Sequence, residues 1–157
     1  MLKGRKAIIS GANRGIGLTI AQHFTVEGID VALLGRNEKE LAEAVAQVRG
    51  RHSAVNVCME VMDLEQRQTI NPAVESAVRQ LGGVDILVNC AGGAYRGRLE
   101  EIPDEMWERY FKVKPLGLLR MTRATLPHLK QSNQGRVINI SGTRAWIWGQ
   151  TRLYNRV

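Results

Sequence analysis

The chain has 157 residues, of which 44% are hydrophobic and 24% charged, a composition typical of one globular domain with a sizeable core. Its net charge of +7 comes from 22 Lys and Arg against 15 Asp and Glu, scattered without a long run or a recognition motif, which argues against nucleic-acid binding. The spacing of Cys58 and Cys90 predicts no metal site, and no leader or membrane-spanning stretch is apparent, so we expect a cytoplasmic protein with reduced thiols.

The first half of the chain alternates between short apolar runs and helical patterns. Residues 6–10 predict a buried strand that ends in a glycine-rich turn. The helical spacing of Ile16, Ile20 and Phe24 then predicts the first helix. Residues 31–34 predict the second strand. The second helix is predicted to stop at Gly50, and its apolar face comprises Leu41, Ala44, Val45 and Val48.

The second half continues the alternation. Residues 54–59 predict a third strand, and a helix follows from about Glu65 to Gly82-Gly83. Its apolar face comprises Ile70, Ala73, Ala77, Val78 and Leu81. Pro72 is predicted to break this helix or to make it begin late. The last elements are a strand at 84–89, a helical stretch at 104–130 that Pro115 should kink or split, and a strand at 136–141.

This order of strands and helices predicts the fold class. Strands that are almost wholly apolar and alternate with helices indicate a parallel sheet covered on both faces. We therefore expect an α/β fold of the Rossmann type, with a doubly wound parallel sheet. The predicted domain covers residues 1–142, and residues 143–157 form an atypical tail.

The turn after the first strand reads S-G-A-N-R-G-I-G over residues 10–17. Its glycines permit positive φ and let the backbone approach a pyrophosphate closely. The helix that follows presents unpaired N–H groups and the positive end of its dipole to such an anion. Because the pattern lies between the first strand and the first helix, it predicts a dinucleotide-binding turn.

The spacing G-x-x-x-G-x-G resembles the T-G-x-x-x-G-x-G of short-chain dehydrogenases/reductases, with Ser10 in place of threonine. Asp63-Leu64 is similar to the adenine-contacting pair of that family, and N-C-A-G at 89–92 is similar to its N-A/N-A-G motif. Trp107 with residues 121–129 resembles its fourth helix, and residues 135–141 resemble its fifth strand. The resemblance covers about residues 4–142, and the usual fold continues beyond that point.

The resemblance implies hydride transfer between a nicotinamide and a carbonyl or alcohol substrate. We also expect a homo-oligomer. A 3-oxoacyl-type reductase is the first expectation for the substrate class. Together with the turn, it assigns a set of residues to the cofactor. These are Ser10, Gly11, Asn13, Arg14, Gly15, Ile16, Gly17, Arg36, Asn37, Asp63, Leu64, Asn89, Ala91 and Gly92.

The end of the second strand predicts which nicotinamide binds. An acidic residue there bonds the ribose 2′-hydroxyl of NAD, whereas an arginine accommodates the 2′-phosphate of NADP. Here the strand ends in Leu34-Gly35-Arg36-Asn37, without an acid. Arg36 suits a phosphate, and Arg14 adds a second cation. The prediction is therefore NADP(H) over NAD(H), the alternative being that both arginines are ordinary surface residues.

The catalytic residues match the family less well. Its supporting asparagine should lie in a V-N-L stretch, where this chain has Val113-Lys114-Pro115, and an ammonium cannot accept a hydrogen bond. Ser141 precedes Tyr154 by thirteen residues, a spacing typical of the family's serine and tyrosine. The lysine expected four residues after Tyr154 falls beyond Val157, and Arg156 lies at the wrong helical angle to replace it.

The tail over residues 143–157 lacks the small residues expected around the family's tyrosine. A natural truncation, a shifted reading frame and an incomplete chain remain open alternatives. Two functions follow: an NADP(H)-dependent oxidoreductase, or a truncated protein that binds NADP(H) without turnover. In either case an uncovered sheet edge predicts self-association, by exchange of tails or by packing of the fourth helices.

Overall fold

The computed structural model describes residues 2–50, 54–92 and 101–141. The elements in chain order are β1 (Lys6–Ser10), α1 (Gly15–Val26), β2 (Asp30–Gly35), α2 (Glu38–Arg49), β3 (Val57–Val61), α3 (Arg67–Leu81), β4 (Ile86–Asn89), α4 (Asp104–Val113), α5 (Pro115–Leu129) and β5 (Arg136–Asn139). The predicted alternation of strands and helices is confirmed.

The five strands form one parallel sheet in the order β3-β2-β1-β4-β5. The chain builds from β1 outward to β3 and then returns to the other side of β1 for β4 and β5. The strand order therefore reverses between β1 and β4. In open α/β sheets this switch point forms the crevice that binds ligands. The predicted Rossmann-type fold is confirmed.

Helices cover both faces of the inner strands, which explains why these strands are almost wholly apolar. Ala7 and Ile9 of β1 point into a core with α1 and α2, while Ile8 between them points into a core with α3 and α5. All three side chains are fully buried. Each inner strand thus contributes to two cores, as expected of a parallel sheet between helical layers.

The buried face of α1 differs from the prediction. The helix places Gly17, Ala21 and Thr25 against the sheet, whereas Ile16 is 62% exposed. Ile20 and Phe24 are only partly buried. A helix that packs this closely on a strand has room only for small side chains along its central line. The larger apolar residues therefore lie beside that line rather than on it.

Two element boundaries in the middle of the chain also differ. β3 begins at Val57 rather than at 54, because β2 begins at Asp30 and Val31 pairs with Val57. Helix α3 begins at Arg67, two residues after the predicted Glu65, and it runs unbroken through Pro72. Both outcomes predicted for Pro72 are wrong, because the helix begins five residues before this proline and continues through it.

The remaining boundaries agree closely with the pattern. Gly82 ends α3 in the left-handed conformation, with φ +69°. Pro115 splits the long helical stretch into α4 and α5 at Lys114, as predicted. β4 and β5 are each shorter than predicted, at 86–89 and 136–139. β5 lies at the edge of the sheet, and all four of its residues are exposed.

Candidate functional site

The glycine turn lies at the switch point of the sheet, between β1 and α1. Gly11 has φ +70°, and a Cβ there would lie 2.7 Å from the backbone Cα of Ala91, directly after β4. A Cβ at Gly17 would overlap the carbonyl oxygen of Gly11. Both positions therefore require glycine, because the turn folds back on itself and rests against the backbone that follows β4.

Gly15 has a different role, because space is open around it. Its φ is +56°, and a Cβ there would meet no atom of the described residues within 4 Å. It begins α1, whose first turn contains no acidic residue and whose N-cap, Arg14, makes no side-chain capping bond. The positive end of this helix therefore faces an open space beside a glycine, which fits the anionic pyrophosphate of a dinucleotide.

Ser10 connects the ends of β1 and β4 beneath the glycine turn. Its hydroxyl oxygen accepts hydrogen bonds from the backbone N–H groups of Cys90 and Ala91, each at 3.2 Å, and donates to the carbonyl of Val88 at 3.4 Å. The side chain is 1% exposed. Ser10 thus joins the ends of β1 and β4, and its hydroxyl is engaged with the protein backbone.

Asn13 and Asn37 connect the glycine turn to α2. Asn37 is the N-cap of α2, accepting from the Glu40 backbone N–H at 3.1 Å, and its amide donates back to the Glu40 carboxylate at 3.3 Å. Asn13 donates to the other oxygen of the same carboxylate at 2.5 Å. One carboxylate therefore fixes both the start of α2 and the shape of the turn.

Asp63 and Leu64 follow β3 and line the same end of the sheet. The Asp63 backbone N–H donates to the Thr69 hydroxyl at 3.0 Å, and the Asp63 carboxylate accepts from the Glu65 backbone N–H at 3.0 Å. Leu64 is buried, and a Cβ at Gly117 of α5 would lie 2.9 Å from it. This loop is therefore held firmly between α3 and α5.

An ion cluster lies beside this loop. Glu65 accepts from the guanidinium of Arg36 at 3.3 Å and from that of Arg109, on α4, at 2.8 Å. Arg36 is 58% exposed and Glu65 25%. The sequence pointed to Arg36 but not to Glu65 or Arg109, since Glu65 is 29 residues from Arg36 and Arg109 is 44 residues from Glu65. The only available signal was the position of Glu65 directly after Asp63-Leu64.

A small cavity lies at the ends of β1, β4 and β5. It is lined by Ser10, Leu64, Asn89, Ala91, Lys114, Leu118 and Ile140. The amide nitrogen of Asn89 donates to Asn139 at 2.9 Å and to Thr122 at 3.2 Å, which ties β4 to β5 and α5. Its amide oxygen is buried and has no partner among the described residues. One residue of the cavity lining thus carries a buried, unsatisfied acceptor.

Lys114 borders this cavity and faces the segment after β4. A Cβ at Gly92, where φ is +149°, would overlap the Lys114 side chain. Burial raises the pKa of the Cys90 thiol, and the Lys114 ammonium partly opposes that rise. The lysine that replaces the expected asparagine therefore places a cation at the candidate site.

Of the predicted catalytic pair, Ser141 and Tyr154, only Ser141 lies among the described residues. Ser141 is exposed and follows the end of β5 by two residues. Tyr154 lies outside the described residues, as does the whole of the predicted tail, 143–157. Within residues 2–50, 54–92 and 101–141, no cluster of side chains that could hold a metal ion is present, and no helix is long and apolar enough to cross a membrane.

A comparison with protein-family models gives a match over residues 5–149, to the model described as short chain dehydrogenase. The chain belongs to the short chain dehydrogenase family. The resemblance that the motifs indicated is thereby confirmed. The match includes the glycine turn, the loop with Asp63-Leu64 and the segment after β4.

Individual members of the short chain dehydrogenase family agree with this assignment. The D-beta-hydroxybutyrate dehydrogenase of Cupriavidus necator is 30% identical over 147 residues, which cover 94% of this chain and 56% of that enzyme. The L-sorbose reductase of Gluconobacter frateurii, solved with NADPH and L-sorbose, superimposes with a TM-score of 0.81 at 31% identity, covering 87% of this chain and 52% of that one.

An NAD+-bound xylitol dehydrogenase superimposes with a TM-score of 0.80 at 29% identity, covering 88% of this chain and 53% of that one. Similar structures therefore include one with bound NADPH and one with bound NAD+. The chain spans about half the length of the curated relatives that it matches.

Proposed function

We propose that this chain is the NADP(H)-binding half of an oxidoreductase that transfers hydride between the nicotinamide and a carbonyl or alcohol substrate. The observation that carries the proposal is the turn at the switch point. Gly11 and Gly17 fold it tightly, while Gly15 opens it to the N-terminus of α1. This arrangement suits a pyrophosphate, and family membership supports the same ligand.

Each group of residues has a distinct part in that binding. The N–H groups at Gly15 and Ile16 face the pyrophosphate, and Arg14 adds positive charge at the same point. Arg36 binds the ribose 2′-phosphate. Asp63 and Leu64 border the adenine. Ser10, Asn13, Asn37, Asn89, Ala91 and Gly92 shape these surfaces, chiefly through the contacts described above.

The bound nicotinamide would supply or accept the hydride, and the protein must hold the substrate oxygen and move a proton. Family resemblance assigns these tasks to Ser141 and Tyr154. Lys114 adds a cation at the same end of the sheet, where it favours negative charge on a neighbouring group. The proposal includes a homo-oligomer, and a 3-oxoacyl compound is the first substrate class to test.

A second function is favoured by one observation, the presence of Lys114 where the family has asparagine. An ammonium donates hydrogen bonds but cannot accept one, so it cannot replace an amide in a proton relay. The alternative is therefore a protein that binds NADP(H) without turning it over. Oxidation of NADPH in the presence of simple ketones and 3-oxoacyl thioesters separates the two functions, because only the oxidoreductase consumes NADPH.

Calorimetric titration of the 157-residue chain with NADPH and with NADH tests the binding step. We expect NADPH to bind more tightly, and Arg36→Met to remove roughly tenfold or more of its affinity, since hydrogen bonds to charged groups contribute about 1.5–3 kcal/mol. Binding of NADH should change little. Equal affinity of the unaltered chain for the two cofactors would contradict the assignment of NADP(H).

A pair of glycine variants tests the position of the site. Gly15→Ala and Gly4→Ala both place a side chain at positive φ, +56° and +80°, with no described atom near the new Cβ. Each should cost about 1–2 kcal/mol of stability. Only Gly15→Ala should also lower the affinity for NADPH, because Gly4 lies before β1 and outside the glycine turn. Equal losses of affinity in the two variants would exclude the turn as the binding site.

A further inference from the structure

The ion cluster beside the ribose end of the site has an unequal geometry. Glu65 lies 2.8 Å from Arg109 but 3.3 Å from Arg36, so its contact with Arg109 is the shorter of the two. Arg36 is the more exposed arginine, at 58% against 47% for Arg109. The guanidinium expected to meet the 2′-phosphate therefore already has a carboxylate as its partner, held by the looser contact.

A carboxylate in this position affects the binding of one cofactor and not of the other. A 2′-phosphate is an anion and requires the Arg36 guanidinium that Glu65 occupies, so the phosphate must displace the carboxylate or bind next to it. Like charges at close range repel, and the repulsion raises the free energy of the phosphorylated complex. A cofactor with a free 2′-hydroxyl brings no charge to this point and experiences no such cost.

Arg109 makes displacement of Glu65 from Arg36 feasible. When Arg36 turns to a phosphate, the Glu65 carboxylate keeps its 2.8 Å contact with Arg109 and is not left unpaired. Its backbone N–H also remains bonded to Asp63 at 3.0 Å, so the loop need not move. The cluster therefore permits an exchange of partners at Arg36 without loss of the local structure.

We propose that Glu65 is a specificity-determining residue that competes with the 2′-phosphate for Arg36 and so narrows the preference for NADP(H) over NAD(H). The inference rests on the proposed function, in which Arg36 binds that phosphate. The preference between NADP(H) and NAD(H) would then depend on a residue of the β3–α3 loop as well as on Arg36 at the end of β2.

Replacement of the carboxylate by its neutral isostere tests the competition. In Glu65→Gln we expect NADPH to bind about two- to fivefold more tightly, the change expected of an exposed ion pair worth about 0.2–1 kcal/mol. The affinity for NADH should stay unchanged. Adenosine 2′,5′-bisphosphate and adenosine 5′-monophosphate, titrated as fragments, should show the same difference, and the gain should diminish as salt is added.

Glu75→Gln is the matched control, because it removes a carboxylate paired at 2.8 Å with His128, between α3 and α5 and away from the glycine turn. It should leave both affinities unchanged. Weaker or unaltered NADPH binding in Glu65→Gln would overturn the proposal, since it would mean that Glu65 orients Arg36 for the phosphate or has no influence on it. Unfolding curves of each variant establish that the fold is intact, and Glu65→Ala serves as a second variant.

The Arg36→Met background separates failure of this inference from failure of the proposed function. If Arg36→Met lowers the affinity for NADPH but Glu65→Gln does not raise it, only the role proposed for Glu65 is wrong. If Arg36→Met leaves NADPH binding unchanged, the assignment of the 2′-phosphate to Arg36 is wrong as well. In the double variant Arg36→Met, Glu65→Gln, the gain from Glu65→Gln should be smaller than in the unaltered chain, because the contested guanidinium is absent and only the repulsion between Glu65 and the phosphate is removed.

Discussion

Single side chains at the carboxyl ends of the strands keep the site in shape through contacts with distant backbone. Ser10 receives N–H groups from residues 80 and 81 positions later in the chain. Glu40 accepts hydrogen bonds from the side-chain amides of both Asn13 and Asn37.

Burial raises the pKa of the Cys58 thiol to about 11, and the Glu60 carboxylate adds to the effect. This thiol therefore stays protonated and unreactive at neutral pH.

The hydroxyl of Ser10 gives a prediction at the residue scale. Ser10→Ala leaves the Cys90 and Ala91 N–H groups without their acceptor at a buried position. We expect a loss of about 1–3 kcal/mol in the free energy of unfolding, measured by urea denaturation. Ser76→Ala is the control, because its hydroxyl accepts one exposed bond from Gln80. Equal losses in the two variants would show that Ser10 does not tie the strands together.

Among the helices, the fit of α1 to the sheet matters most for the site. Its buried line consists of Gly17, Ala21 and Thr25, which lets the helix approach closely and brings its N-terminus to the end of β1. α3 and α5 pack with larger residues on the opposite face, among them Ile70 and Met121. Helix α1 thus places smaller side chains against the sheet than α3 and α5 do.

This difference predicts how α1 responds to changes in side-chain volume. Ala21→Leu adds bulk at a position that is fully buried, so we expect it to destabilise the chain by about 1–3 kcal/mol. Ile16→Ala removes a large residue that is 62% exposed and should change stability by only about 0.5 kcal/mol or less. Thermal and urea unfolding of both variants provide the test. The reverse order would mean that Ile16, as the periodicity suggested, faces the core.

At the scale of the whole molecule, the β5 edge of the sheet is the more exposed of its two edges. The outer strand β5 is exposed along its length, with Val137 and Ile138 at 39% and 41%. Helix α5, beside it, exposes Leu116, Leu119 and Leu126. Exposed apolar residues next to an unpaired strand edge favour association with another chain.

We therefore expect the 157-residue chain to self-associate at micromolar concentration, as measured by light scattering. Leu119→Lys on α5 should shift the population toward monomer, because burial of a charge at an interface is costly. Val61→Lys is the control, since Val61 is similarly exposed, at 47%, but lies on β3 at the opposite edge. A monomer at these concentrations would refute the prediction.

Local patterns were enough to predict the order of the elements, the parallel sheet, the glycine turn and the split at Pro115. Each depends on residues close together in the chain: apolar runs for strands, helical spacing for helices, and the fixed φ of proline. The cofactor residues at the turn were predicted for the same reason, because a strand, a turn and a helix of this kind occupy consecutive positions.

Contacts between distant segments decided what the pattern could not show. The face of α1 depends on how closely it packs against β1, and the start of β3 depends on its pairing with β2. The helix through Pro72 forms because its apolar face packs on the core. The cluster of Arg36, Glu65 and Arg109 forms only when three elements meet at one end of the sheet. The sequence alone therefore determined the kind of site, whereas the tertiary structure decided which charges face one another there, because their energies depend on distances in space.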